Sequence, residues 1–108
     1  MTDCIFCKIV NKEINSDIVD EDDSVIIFKD TNPKAEIHLL IVPKEHIESI
    51  QSNGSEKVAE KLILKAKQIA KEKGLEGYRL VFNVGKEGGQ TVNHLHLHFL
   101  AGKNQLTA

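Results

Sequence analysis

The stretch that most constrains this chain is Asn93 to Leu100, NHLHLHFL, where histidine alternates with leucine and then phenylalanine. Three of the chain's five histidines fall here, at 94, 96 and 98. A period of two is the signature of a strand with unlike faces. His94, His96 and His98 then share one face, spaced about 6.6 Å apart along the chain. Leu95, Leu97 and Phe99 share the other, which suits a core. Each imidazole brings two ring nitrogens that need partners. Four readings meet this pattern: a tag remnant, a solvated strand face, a metal site and a catalytic site. Interleaved leucines fit a tag poorly. A solvated face leaves the concentration of histidines unexplained. Alternate histidines suit zinc, and imidazole suits nucleophilic or acid–base work near pH 7.

The rest of the chain supplies a frame for such a strand. Its 108 residues make one domain, 1–108. SVIIFK (Ser24 to Lys29) and HLLIVP (His38 to Pro43) read as buried strands, and YRLVFNVG (Tyr78 to Gly85) as a third. The triad segment is a fourth, and a short edge strand fits between Asp17 and Asp20. From Glu56 to Lys73 the period changes: Val58, Leu62, Ile63, Ala66, Ile69 and Ala70 recur at helical steps. Ser55 is the candidate N-cap, Gly74 the stop. KEHIESI predicts a short helical turn. The fold class is α+β, with a mainly antiparallel five-stranded sheet, one long helix and a short one.

A net charge of -2 gives no global attraction to nucleic acid or an anionic membrane. No apolar run approaches the ~20 residues of a membrane span. The start, MTDCIFCKIV, lacks the layout of a secretion signal, so the expected location is the cytoplasm. There Cys4 and Cys7 stay reduced and serve as ligands rather than a disulfide. A redox pair is the rival reading, but such pairs sit between a strand and a helix, and no strand is predicted before Cys4. The loop GKEGGQT places Gly85, Gly88 and Gly89 where backbone N–H groups can approach a phosphate, and Gln90 and Thr91 add donors. A plain turn accounts for the same glycines. Directly before three histidines, the loop points to an anionic substrate.

These segments together resemble a known family. VNHLHLHFL resembles the signature of the histidine-triad (HIT) superfamily. CIFCKIV, IIFKDTNPKAEIHLLIVPKEHI and GYRLVFNVGKEGGQTVNHLHLHFLAG resemble its Hint branch over nearly the whole chain. The resemblance implies a sheet extended across a homodimer. It also implies hydrolysis at the α-phosphorus of a purine nucleotide such as an AMP conjugate, typically a nucleoside phosphoramidate. On that likeness His96 is the nucleophile and His98 the phosphate-binding group. His38 is a supporting histidine, and Thr91 lies near the leaving group. Asn83, Gly89 and Gln90 approach phosphate or ribose, Asp30 binds ribose, and Phe28 and Thr31 lie by the base. In the bacterial members with CxxC, the likeness makes Cys4, Cys7, His46 and His94 a structural zinc site. Two alternatives stay open: a dinucleoside polyphosphate hydrolase and a nucleotide-binding regulatory module. The chain has no tryptophan and ends in AGKNQLTA. It therefore departs from the longer aromatic tail of animal Hint proteins, and their leaving-group preference does not carry over.

Overall fold

The computed structural model describes residues 4–102. A short helix α1 (Ile5–Val10) comes first. Strands β1 (Ile18–Glu21), β2 (Val25–Lys29) and β3 (Ile37–Pro43) follow, then the long helix α2 (Ser55–Glu72). Strand β4 (Arg79–Val81) and strand β5 (Leu97–Ala101) complete the sheet. The spatial order is β1-β2-β3-β5-β4, and every neighbouring pair is antiparallel.

The sheet is covered on both sides by unlike layers. On one side Val58, Leu62, Ala66, Ile69 and Ala70 of α2 pack with Ile27, Leu39, Ile41, Leu97 and Phe99. On the other, Phe6 and Ile9 of α1 pack with Ile26, Phe28, Leu40 and Val42. This is why β2 and β3 read as unbroken apolar runs: both of their faces are buried. Each fully buried isoleucine or leucine contributes about 1.5–3 kcal/mol relative to an exposed one. The β1–β2 turn is fastened to α2. The Asp22 carboxylate accepts the Ser24 and Val25 backbone N–H groups at 2.8 Å each and meets Lys65 Nζ at 3.0 Å. No helix among the described residues is long and apolar enough to cross a membrane.

The structure differs from the sequence expectations at five points. The triad strand begins only at Leu97; His94 lies in a bend and His96 in chain outside the sheet ladder. The third predicted strand shortens to Arg79–Val81. These two changes are one event. Val81 pairs with His98, and the chain before Leu97 turns away so that Leu95 N–H donates to the Ile47 carbonyl (2.7 Å), leaving residues after Val81 no ladder to join. The segment KEHIESI is not helical; the short helix lies in CIFCKIV instead. Gly54, at φ 79°, caps α2, and Ser55 is its first residue, its hydroxyl donating to the Ile50 carbonyl. Ile63, expected on the core face, is 39% exposed.

Candidate active site and metal centre

His94, His96 and His98 keep the alternation although only His98 lies in a regular strand. Leu95, Leu97 and Phe99 enter the α2-side core, and the histidine rings face the α1 side. The ring centroids of His96 and His98 are 5.0 Å apart, with Phe6 edge-on to His96 at 5.1 Å.

Hydrogen bonds fix which nitrogen of each ring carries a proton. His96 Nδ1 lies 2.7 Å from the His94 carbonyl. A carbonyl only accepts, so Nδ1 holds the proton and Nε2 keeps its lone pair. The Lys34 backbone N–H donates to His38 Nδ1 (3.0 Å), so His38 carries its proton on Nε2. That nitrogen lies 3.0 Å from His98 Nδ1 and 3.4 Å from Asp30 Oδ2. Donation to His98 Nδ1 leaves the His98 proton on Nε2; Asn83 Nδ2 lies 3.4 Å from that nitrogen, so Asn83 accepts the proton only with its amide turned to bring Oδ1 to the ring. His98 thus presents a donor beside a lone pair on His96. Burial pushes His98 down to about 4, and lowers His96 and His38 from their ordinary value. All three are neutral at pH 7. The side-chain atoms of Asp30, His38 and His98 lie close enough together to hold a cation. The Lys34 N–H occupies the only lone pair on neutral His38, however, and makes the group a hydrogen-bond relay.

Two cavities meet at these rings. One, of about 320 Å³, is walled by Phe6, Ile9, Phe28 and Leu40 and reaches Thr31, His96 and His98. The other, of about 520 Å³, contains Lys34, Arg79, Asn83 and Gly89. Asp30, Asn32, Thr91 and His98 line both. Gly89 adopts φ 90°, a left-handed conformation that favours glycine. Gln90, expected beside the substrate, is instead spent on its own loop. Its Oε1 accepts from Gly85 N–H (2.9 Å), and its Nε2 donates to the carbonyls of Glu48 (2.7 Å) and Val92 (3.0 Å).

A second cluster joins residues distant in sequence. His94 Nδ1 lies 3.3 Å from Cys4 Sγ and 3.6 Å from Cys7 Sγ, and His46 Nδ1 lies 3.3 Å from Cys7 Sγ. His94 Nε2–H donates to the Pro43 carbonyl at 2.8 Å, which turns the Nδ1 lone pair toward the thiols. A tetrahedral zinc with Zn–S near 2.3 Å and Zn–N near 2.0 Å implies sulfur–nitrogen edges of about 3.5 Å. The residues therefore fit a closed S2N2 centre. Burial holds the Cys7 thiol above its ordinary value, so ligation as thiolate needs a cation. Cys4 also caps α1, accepting from Cys7 N–H at 3.3 Å.

Sequence reading overlooked Phe6, Ile9, Lys34 and Arg79. The two apolar residues sit three apart on a six-residue helix, too short to show a period. Lys34 reaches the site through its backbone N–H, which no side-chain pattern reports.

An antiparallel sheet with alternating histidines beside an apolar cavity defines a histidine-triad protein, and comparison with known proteins agrees. The family described as "Scavenger mRNA decapping enzyme C-term binding" matches residues 3–108. Protein HitA of Neisseria gonorrhoeae is 46% identical over 103 residues, covering 93% of this chain and 96% of HitA. A histidine triad protein from Clostridium difficile superposes with TM-score 0.93 at 45% identity, covering 100% of this chain and 97% of that one. A HIT family hydrolase from Legionella pneumophila gives TM-score 0.88 at 43% identity, covering 94% and 95%. A zinc-bound histidine triad protein from Mycobacterium smegmatis gives 0.84 at 29% identity, covering 98% and 79%. This chain belongs to the histidine-triad family of hydrolases.

Proposed function

We propose that the chain hydrolyses nucleoside phosphoramidates, or related purine nucleotidyl conjugates, at the α-phosphorus. The observation that carries this reading is the 2.7 Å contact between His96 Nδ1 and the His94 carbonyl. It keeps the Nε2 lone pair available and shares the charge that appears on the ring as that nitrogen bonds phosphorus. In the first step the His96 Nε2–phosphorus bond forms and the bond to the leaving amine breaks. The His98 Nε2–H donates to a phosphate oxygen as charge gathers there, and the amine leaves with the proton its phosphoramidate nitrogen carries. In the second, water attacks phosphorus, the bond to His96 Nε2 breaks, the water's proton passes to solvent, and the nucleoside monophosphate leaves. The apolar cavity of Phe6, Ile9 and Phe28 suits a purine, with Asp30 at the ribose. Thr91, Asn83 and Gly89 face the phosphate and leaving group from the second cavity.

The metal centre would hold zinc in a structural role through Cys4, Cys7, His46 and His94. Four protein ligands leave no open position for substrate. A twofold partner would cover the apolar exposure on α2, where Ile63 is 39% and Leu64 52% exposed, and the outer side of β4, where Leu80 is 36% exposed. One observation favours the dinucleoside polyphosphate alternative. Lys34 and Arg79 both line the second cavity, which suits an anionic leaving group. Incubation with adenosine phosphoramidate and with diadenosine polyphosphates, reading released AMP, decides between them. Turnover of neither, with AMP still bound, would leave the regulatory module; absence of both turnover and binding would refute the nucleotide reading.

A further inference from the structure

The metal cluster and the nucleotide cavity share α1. Cys4 and Cys7 hold the first turn of this six-residue helix at the cluster, and Ile5, Phe6 and Ile9 form a cavity wall. Phe6 lies between cluster and cavity. Its ring meets His94 at 5.8 Å, His96 at 5.1 Å and Phe28 at 5.5 Å, each edge-on. It is 6% exposed and belongs to the small α1-side cluster, apart from the large core built on α2. A helix this short does not hold itself in water. Its position rests on the cluster at one end and on Phe6 and Ile9 along its buried face. His94 is also shared, its ring in the cluster and its carbonyl on His96.

We infer that Phe6 is a positioning residue through which metal occupancy at Cys4, Cys7, His46 and His94 sets the affinity of the cavity for nucleotide. With the cluster filled, α1 is pinned and Phe6 completes the wall against His96. With it stripped, α1 loosens, the wall is lost, and the α2-side core stays folded. The cluster then does more than stabilise the chain: it tunes binding at a distance. This rests on the nucleotide reading above.

Linkage makes the idea testable from both ends, since a metal that tightens AMP binding must itself be tightened by AMP to the same degree. The first measurement is AMP affinity by calorimetry for the metal-loaded and chelator-stripped protein, with far-ultraviolet circular dichroism following the fold. Stripping is expected to weaken AMP binding about tenfold with α2 and the sheet retained. The reciprocal measurement is zinc affinity in a metal buffer, with and without AMP, and is expected to show the same factor. Stripping that unfolds α2 and the sheet would itself overturn the inference. Phe6→Ala in the loaded protein should weaken AMP binding by a similar factor and remove most of the metal dependence. Phe6→Leu, which restores bulk, should recover part of both. The same AMP affinity with and without metal, or zinc affinity indifferent to AMP, would overturn the inference alone. No AMP binding by the loaded wild type would overturn the nucleotide reading and this inference with it.

Discussion

The backbone carbonyl of His94 accepts the Nδ1 proton of His96 at 2.7 Å, while the His94 ring faces two cysteines. One residue therefore belongs to both centres, by its backbone in one and its side chain in the other.

His96→Ala removes the lone pair that would bond phosphorus. Turnover of adenosine phosphoramidate should fall by about 10³-fold or more, as for loss of a covalent nucleophile. AMP binding and the circular dichroism spectrum should be largely retained. His96→Gly with near-native turnover would exclude His96 as nucleophile.

His38 orients the His98 proton through the 3.0 Å contact between its Nε2 and His98 Nδ1. His38→Ala should lower kcat roughly 10- to 100-fold, less than removal of a catalytic donor itself would, with a smaller change in AMP affinity. His38→Gln can accept from Lys34 N–H and donate to His98, so it should recover part of the loss. Equal kcat for the two variants would remove His38 from the relay.

Asp22 carries the acid sensitivity of the β1–β2 turn. The Ser24 backbone N–H, aided by Lys65 and the Val25 N–H, holds its carboxyl at about 2 against an ordinary 3.8. A depressed folded-state value means that its stabilisation is full above the ordinary value and is lost as pH falls toward 2. Asp22→Asn keeps the acceptor oxygen and removes the charge. Wild type should melt above the variant near pH 6, and the gap should close near pH 2. A gap that widens on acidification would refute this account. Acid loss of metal affects both proteins and cancels in the difference.

Elemental analysis of protein purified without chelator should give one zinc per chain, lost in the Cys4→Ser, Cys7→Ser double variant. Chelation should lower the melting temperature, since metal bound only by the folded state stabilises it. Metal-free protein with Cys4 and Cys7 joined under reducing conditions would rule the site out.

Sedimentation at micromolar concentration should give a dimer, and a charge at Leu64, 52% exposed on α2, should shift it toward monomer. A monomeric wild type would refute the twofold partner.

The long-period features of this fold were legible in its sequence and the local departures were not. Helix α2 announces itself because it is long enough to repeat its pattern, and strands β2 and β3 because each is a continuous β-branched and apolar run. Helix α1 has six residues, and its apolar positions are also consistent with an irregular arm. The alternation at His94 to Phe99 predicted facing correctly and ladder membership incorrectly. Side-chain direction follows extended backbone, whereas pairing needs a neighbour, and Val81 is the last residue of β4. The grouping of Cys4, Cys7, His46 and His94 came from resemblance, and spacing alone could not join residues ninety apart. The tautomer relay was invisible because it begins at a backbone N–H. Gln90 was misjudged because a polar residue in a glycine loop serves the loop as readily as a ligand.

The two-sided covering of β2 and β3 divides labour between adjacent letters of the sequence. Ile26 and Ile27 are both fully buried, yet one backs the chamber beside the histidines and the other the long helix. Leu40 and Ile41 are split the same way. Conservative replacements at Ile27 or Ile41 should alter how long the molecule survives heat, and those at Phe28 or Leu40, which line the chamber, what it accepts. A designer seeking a hardier enzyme and one seeking a different appetite would thus edit alternate positions of the same two strands, with little interference between their libraries.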